Sequence, residues 1–140
     1  MTITDDPLDT IKDLLKNNWT ETSPAVAATS FVVAPAKKKF TAATISVSRE
    51  RDNVTERSTG SVPLVLHKDI IRACAWTQNK TELFNMLKEI RRIIHAKKIP
   101  ASGGLLQLDL MPGGRPRPDL RVDDTILAED VRIQLWYQEP

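Results

Sequence analysis

Cysteine is all but missing: Cys74 is the only one in 140 residues, which rules out an intrachain disulfide and a cysteine-based zinc cluster. Its neighbours Ala73, Ala75 and Trp76 mark it as a small buried hydrophobe rather than a nucleophile. Histidine is almost as scarce. His67 and His95 fall in different elements with no acidic or histidine partner at metal-ligand spacing, so no metal site is expected. Aromatic residues make up 5% of the chain, and its cationic loops are not interleaved with the stacking aromatics that single-strand binders usually supply. No apolar run is long enough to span a bilayer. The opening Met-Thr-Ile-Thr-Asp-Asp lacks the basic region and apolar core of a signal peptide, so none is expected. The acceptor-like triplets at Asn18, Asn53 and Asn79 are then chance matches.

The catalytic signatures are missing as well. No glycine-flanked serine elbow occurs. Gly113, Gly114 and Arg115 are not followed by the Gly-Lys-Ser/Thr that opens the helix of a phosphate loop. The late acids Asp109, Asp119, Asp123, Asp124, Glu129 and Asp130 are the material of a metal-dependent nuclease, which needs converging carboxylates. However, Asp109 sits in an alternating strand, Asp123 and Asp124 in a loop, and no lysine follows Glu129 and Asp130 to assist a phosphate. No catalytic, cofactor-binding or metal-binding constellation is expected, and the chain reads as a non-enzyme.

What is present is an ordinary globular composition, 41% hydrophobic and 27% charged, in a length that suits one domain over residues 1–140 with a single core. The formal charge of +2 is too small to argue for nucleic acid by itself, although a pI near 8.8 permits a local basic patch.

Two helices stand out. Asp6 caps the first, with Pro7 in its first turn and Leu8, Ile11, Leu14 and Leu15 at helical spacing up to Asn17–Trp19. The second runs from Asn79 to Lys98 and is stopped by Pro100. Asn79 followed by Glu82 fits a capping box. Leu83, Met86, Leu87, Ile90, Ile93 and Ile94 form its apolar stripe, while Asn85, Lys88, Glu89, Arg92 and His95 face away. With Glu89 among the cations, that outer face is mixed, and the helix is the brace of a sheet rather than a basic recognition helix.

The strands are read from period-two alternation. Phe31, Val32 and Val33 make a short apolar run, and Ala43, Ile45 and Val47 alternate with Thr44, Ser46 and Ser48. Residues Arg49 to Gly60, dense in charge, are expected to form a solvated turn or extended hairpin tip. Ser61 to Leu66 resumes a β-like run, bent or pushed to an edge by Pro63, and Asp69 to Thr77 continues it. Leu106, Leu108 and Leu110 alternate in Leu105–Met111, and Leu127, Val131, Ile133, Leu135 and Tyr137 alternate in the final run. The resulting class is α+β, two helices on one face of a mostly antiparallel or mixed sheet of four to five strands.

Two breaker-rich loops carry cations: Lys37, Lys38 and Lys39 in one, Arg115, Arg117 and Arg121 in the other. They are the candidate surfaces for non-specific contact with a phosphate backbone. Trp136 and Tyr137 offer apolar area for either core packing or an oligomer contact.

The order of these segments resembles a known family. Asp-Pro-Leu-Asp-Thr-Ile-Lys-Asp-Leu-Leu-Lys-Asn-Asn-Trp from Asp6 to Trp19, Ile-Ser-Val-Ser from Ile45, the Asp69–Thr77 strand, the Leu83–Ile94 helix and Val-Arg-Ile-Gln-Leu-Trp-Tyr from Val131 are together similar to the tail-terminator and neck proteins of tailed bacterial and archaeal viruses. The resemblance rests on element order and patterning across nearly the whole chain. It implies a non-enzymatic homo-oligomeric ring, usually of six subunits, in the virion neck. Such a ring, assembled in the host cytoplasm, caps the tail tube, meets the head–tail connector and lets genome DNA pass through its lumen. It implies no cofactor and no membrane. Under it, the loops at Ala36–Lys39 and Pro112–Arg121 would reach a neighbour, the tube or the lumen. A head–tail connector or adaptor is the alternative within that class, and a small basic nucleic-acid-binding module the alternative outside it.

Leu87→Asp or Ile90→Asp should unfold the domain, because either places an unpaired charge in the core at a cost of more than about 4 kcal/mol. Charge reversal at Lys38 or Arg117 should leave the thermal melt unchanged. Melts of the four variants, followed by far-UV circular dichroism, check this division of core from surface.

Overall fold

The computed structural model describes residues 6–33, 43–57, 65–97, 105–112, 116 and 126–139. Helix α1 spans Pro7–Asn18, a single 3-10 turn covers Ala28–Ser30, and strands β1 (Phe31–Val33), β2 (Thr44–Arg57) and β3 (Val65–Thr77) follow. Helix α2 spans Lys80–Ala96 and precedes β4 (Leu105–Met111) and β5 (Leu127–Glu139). The sheet order is β1-β2-β3-β5-β4. Only the β1–β2 pair is parallel, and the other three pairs are antiparallel. The fold is therefore α+β with a five-stranded mixed sheet.

Both helices lie on one face. Ile11 and Leu15 of α1 and Met86, Leu87, Ile90, Ile93 and Ile94 of α2 share one core with Ile45, Val47, Ile71, Ala73, Ala75, Leu108, Val131, Ile133, Leu135 and Tyr137 of the sheet. Each large side chain buried there contributes about 1.5–3 kcal/mol before entropy is counted. Helix α1 covers β1 and β2, and α2 covers β3, β5 and β4.

The helix ends are closed by their expected caps. Asp6 Oδ1 accepts from the Leu8 N–H at 2.8 Å, and Asn79 Oδ1 accepts from Thr81 and Glu82 at 2.8 and 3.2 Å. The second half of the capping box is not made. The Glu82 carboxylate accepts instead from the Thr77 hydroxyl at 2.8 Å, fastening the end of β3 to the start of α2.

Of the two forms expected for residues 49–60, strand β2 takes the extended hairpin as far as it is described, remaining paired with β3 to Arg57↔Val65. A backbone ladder needs no apolar side chains, and an antiparallel hairpin extending past its covering helices can carry a polar sequence. Two register shifts, at Arg49/Arg51 and Val54/Glu56, bend it on the way. Pro63 lies outside the described residues. Strand β4 also departs from simple alternation. A register shift falls at Leu105/Gln107, and Leu110 is exposed at this sheet edge while Leu108 is buried.

The larger correction is Glu89, which is 5% exposed and not part of the solvent face. Its Oε2 accepts from the Thr20 N–H at 2.7 Å, the Thr20 hydroxyl at 3.0 Å and the Glu21 N–H at 2.8 Å, while Oε1 accepts from Arg92 Nε. Arg92 also donates to the Asn18 carbonyl at 2.9 Å, and Asn85 to the Ser23 carbonyl at 2.7 Å. Three polar residues of α2 thus stitch the chain leaving α1 onto the flank of α2.

Burial alone would raise the Glu89 carboxyl, but the hydrogen bonds from Arg92 and Thr20 and the Arg92 charge outweigh it and hold the pKa at about 2, against 4.5 ordinarily. A carboxyl lowered on folding stabilises the protein above its unfolded value, and that contribution is lost as pH falls from about 4.5 toward about 2. With Arg92 half exposed, the contribution is on the order of 2 kcal/mol. Glu89→Gln should therefore lower the melting temperature at neutral pH by several degrees, and the gap to wild type should narrow as pH falls below 4.5. A gap that stayed constant across that range would show that the charge is not what holds the clamp.

Candidate interaction surfaces

The face of the sheet away from the helices is closed along its central strands. Cys74, Trp76, Ile126 and Ala128 form a second small apolar cluster, and Trp76 Nε1 donates to Ser46 Oγ at 2.8 Å. Cys74 is thus the buried small hydrophobe expected of it. Because β3 is covered on both faces, its residues from Asp69 to Thr77 are all buried except Arg72, in the manner of a central strand.

Next to that cluster, arginines and acids from three strands interlock. In register, Ser48 opposes Arg72 and Arg72 opposes Arg132, which would set two cations side by side without compensation. Glu50 supplies it. Its carboxylate accepts from Arg132 Nε at 3.0 Å and Nη2 at 3.1 Å and lies 3.1 Å from Arg72 Nε. Arg72 Nη1 reaches the fully buried Asp130 at 2.8 Å, and Arg132 Nη1 donates to the Pro112 carbonyl at 2.9 Å. Burial would raise the Glu50 carboxyl, but the Arg132 hydrogen bond and the charges of Arg72 and Arg132 hold it below the usual range. Two arginines balanced by two acids leave a neutral lattice, suited to stiffening the sheet rather than attracting a charged ligand.

Of the late carboxylates, Asp109, Glu129 and Asp130 are among the described residues. Asp130 is committed to Arg72, Asp109 accepts from Gln107 at 2.9 Å, and Glu129 neighbours Asp130 on the opposite pleat. Asp119, Asp123 and Asp124 lie outside the described residues. Among those described, no three histidine, cysteine, aspartate or glutamate side chains converge on a point that could hold a metal ion.

Of the residues the sequence nominates for contact, Lys37, Lys38, Lys39, Arg115, Arg117 and Arg121 lie outside the described residues. Tyr137 is 1% exposed and belongs to the core. Its hydroxyl donates to Asp69 Oδ2 at 3.1 Å, and the same oxygen is 3.2 Å from Arg49 Nη2, so a buried carboxylate is neutralised where the helices end. Trp136 points the other way and is half buried. Lys68 Nζ stands 5.3 Å from its ring centroid, covering part of the ring with a cation.

Two surfaces emerge that sequence patterning did not single out. One is a groove of about 410 Å³ between the first half of α2 and the start of β5, lined by Lys80, Leu83, Phe84, Leu87, Pro116, Leu127, Ala128 and Glu129. Phe84 is 64% exposed at its rim. The other is the outer strip of α2, where Lys80, Phe84, Lys88, Arg91 and His95 are all exposed. The signal for the strip was present in the one-per-turn spacing of these residues, and Glu89 obscured it.

Comparison with known proteins brings no match to any family model and none to a curated protein. Among solved structures, the chain is similar to a component of a particle described as the virion of a native gene transfer agent. The two are 12% identical with a TM-score of 0.54, and the match covers 96% of this chain and 100% of the other. At that identity the likeness is one of fold, carried across the full length of both chains.

Proposed function

We propose that this chain is a structural protein of a tailed-virus-like particle, built into the neck or tail, and that it acts as the tail terminator. In this role, copies of the chain close into a ring, most simply of six, that caps the tail tube and joins it to the head–tail connector while DNA passes through the lumen. The supporting observation is the end-to-end fold similarity to a component of a gene transfer agent virion. The order of segments that resembles terminator and neck proteins points the same way. The work is assembly rather than catalysis, its place is the virion, and the host cytoplasm is where it is made and assembled.

Physical features agree with this role. A ring built from one chain uses heterologous contacts, two different patches meeting at each interface. The apolar floor of the α2–β5 groove, Leu83, Leu87, Leu127 and Ala128, and the β4 edge are patches of unlike shape on the same body. The neutral arginine–carboxylate lattice holds the sheet rigid between them. A head–tail connector or adaptor would use the same surfaces, and differs in which neighbour it meets.

Mixing the purified chain with the tail-tube protein of the same particle separates these roles. A terminator should stop tube growth at substoichiometric amounts and appear in negative-stain images as a ring at one end of each tube. Tubes that grow to the same length with and without the chain, and from which it washes away, would remove the terminator role. Binding to the isolated connector but not to the tube would favour the adaptor.

A further inference from the structure

Helix α2 carries three longitudinal strips with three separate fates. Its apolar strip lies on the sheet. Asn85, Glu89 and Arg92 hold the chain that leaves α1. Lys80, Phe84, Lys88, Arg91 and His95 fall within an arc of about 80° and extend about 22 Å along the axis, and all five are exposed. The strip contains no acid. Glu82 is held by Thr77 and Glu89 is turned to Thr20 and Glu21. Among the described residues, none of Lys80, Lys88 and Arg91 forms an ion pair. Lys88 and Arg91, like charges three residues apart, weaken the helix slightly by their mutual repulsion.

We infer that the α2 strip binds the phosphate backbone of duplex DNA without reading its bases. A straight, rigid row of cations complements a straight, rigid polyanion. A second copy of this chain offers no matching acidic row among the described residues. Glu50 and Asp130 are locked on Arg72 and Arg132, Asp69 on Arg49, and Asp9 and Asp13 on Lys12 and Lys16. Single-stranded DNA is bound through successive aromatic platforms, whereas the strip's two rings, Phe84 and His95, stand eleven residues apart, about 16 Å along the axis. The inference stands on the geometry of α2 and does not need the ring. If the ring forms, the inference turns the outer side of α2 toward the DNA.

Fluorescence anisotropy of a short mixed-sequence duplex, titrated with the full chain between about 50 and about 200 mM salt, tests this. Three phosphate contacts predict a slope of log affinity on log salt near about −2.7. Lys88→Glu with Arg91→Glu should weaken binding at least tenfold at low salt and reduce the slope by about 2. Lys12→Glu with Lys16→Glu makes the same change of net charge on α1 and should alter affinity less than about threefold. Circular dichroism verifies that each variant is folded, and single Lys88→Gln and Arg91→Gln variants replace the double one if it is not. Absence of binding at low salt would overturn the inference, as would an α2 variant that binds like wild type or an α1 variant that loses as much. Tighter binding to a single strand, abolished by Phe84→Ala, would overturn the choice of duplex. Equal affinity for polyglutamate of matched charge would overturn the choice of nucleic acid. Because the free chain is assayed without the tube, failure here leaves the terminator role standing, and failure of tube capping leaves this binding intact.

Discussion

The Glu89 carboxylate sets how α2 presents itself to everything outside the core. Apolar burial alone would hold the helix against the sheet but leave the chain between α1 and β1 with no fixed path. Glu89 collects two backbone N–H groups and a hydroxyl from Thr20 and Glu21 and is itself neutralised by Arg92. A buried carboxylate is costly unless it is fully hydrogen-bonded and paired, and here both conditions are met from a segment about seventy residues away in sequence. The α1–α2 layer therefore behaves as one unit. Trp19 adds to this by packing edge-on against Phe31, with ring centroids 5.5 Å apart, which seats the start of β1 under the same connection.

Much of this was legible in the chain. Asp6 and Asn79 announce their helices because a cap is a local device, complete within three residues of sequence. The apolar stripe of α2 and the alternation of Ile45, Val47, Ile133 and Leu135 reveal their buried faces for the same reason, since periodicity is local. Sequence reading fails where a polar residue is recruited by a distant partner. Glu89 has the helical phase of a flank residue, and nothing near it in sequence says that Thr20 will supply donors. Glu82 could complete its capping box or reach Thr77, and only the angle between β3 and α2 decides. For the charged stretch from Arg49 to Arg57, side-chain pattern does not choose between a turn and an extended hairpin, because its pairing comes from the backbone of β3.

The interaction surfaces were less legible than the fold, and the reason is the same. The lattice of Glu50, Arg72, Asp130 and Arg132 draws on β2, β3 and β5, so its neutrality is a property of sheet register and of no one segment. Read singly, Arg72 and Arg132 would count toward a basic patch, and Asp130 toward an acidic one. Once assembled they cancel. Tyr137 and Trp136 are adjacent in sequence, yet the pleat sends one into the core to meet Asp69 and the other to the opposite face beside Lys68. Two neighbours nominated together therefore had to part company.

A net charge of +2 says little about such a molecule, because what a partner meets is the charge left over after internal pairing. Here Glu50, Asp69, Glu89 and Asp130 are each paired with an arginine and Glu82 with Thr77. Cations on α2 have no comparable duty apart from Arg92. Internal pairing thus consumes acids and arginines together, and the cations on the outer side of α2 are what it leaves over. Glu89 lies on the flank of α2 by its helical phase, and the contacts that fix the α1–β1 connection hold its charge there, away from the outer strip. The outward charge pattern therefore exists only in the folded chain, and an unfolded copy carries no comparable surface.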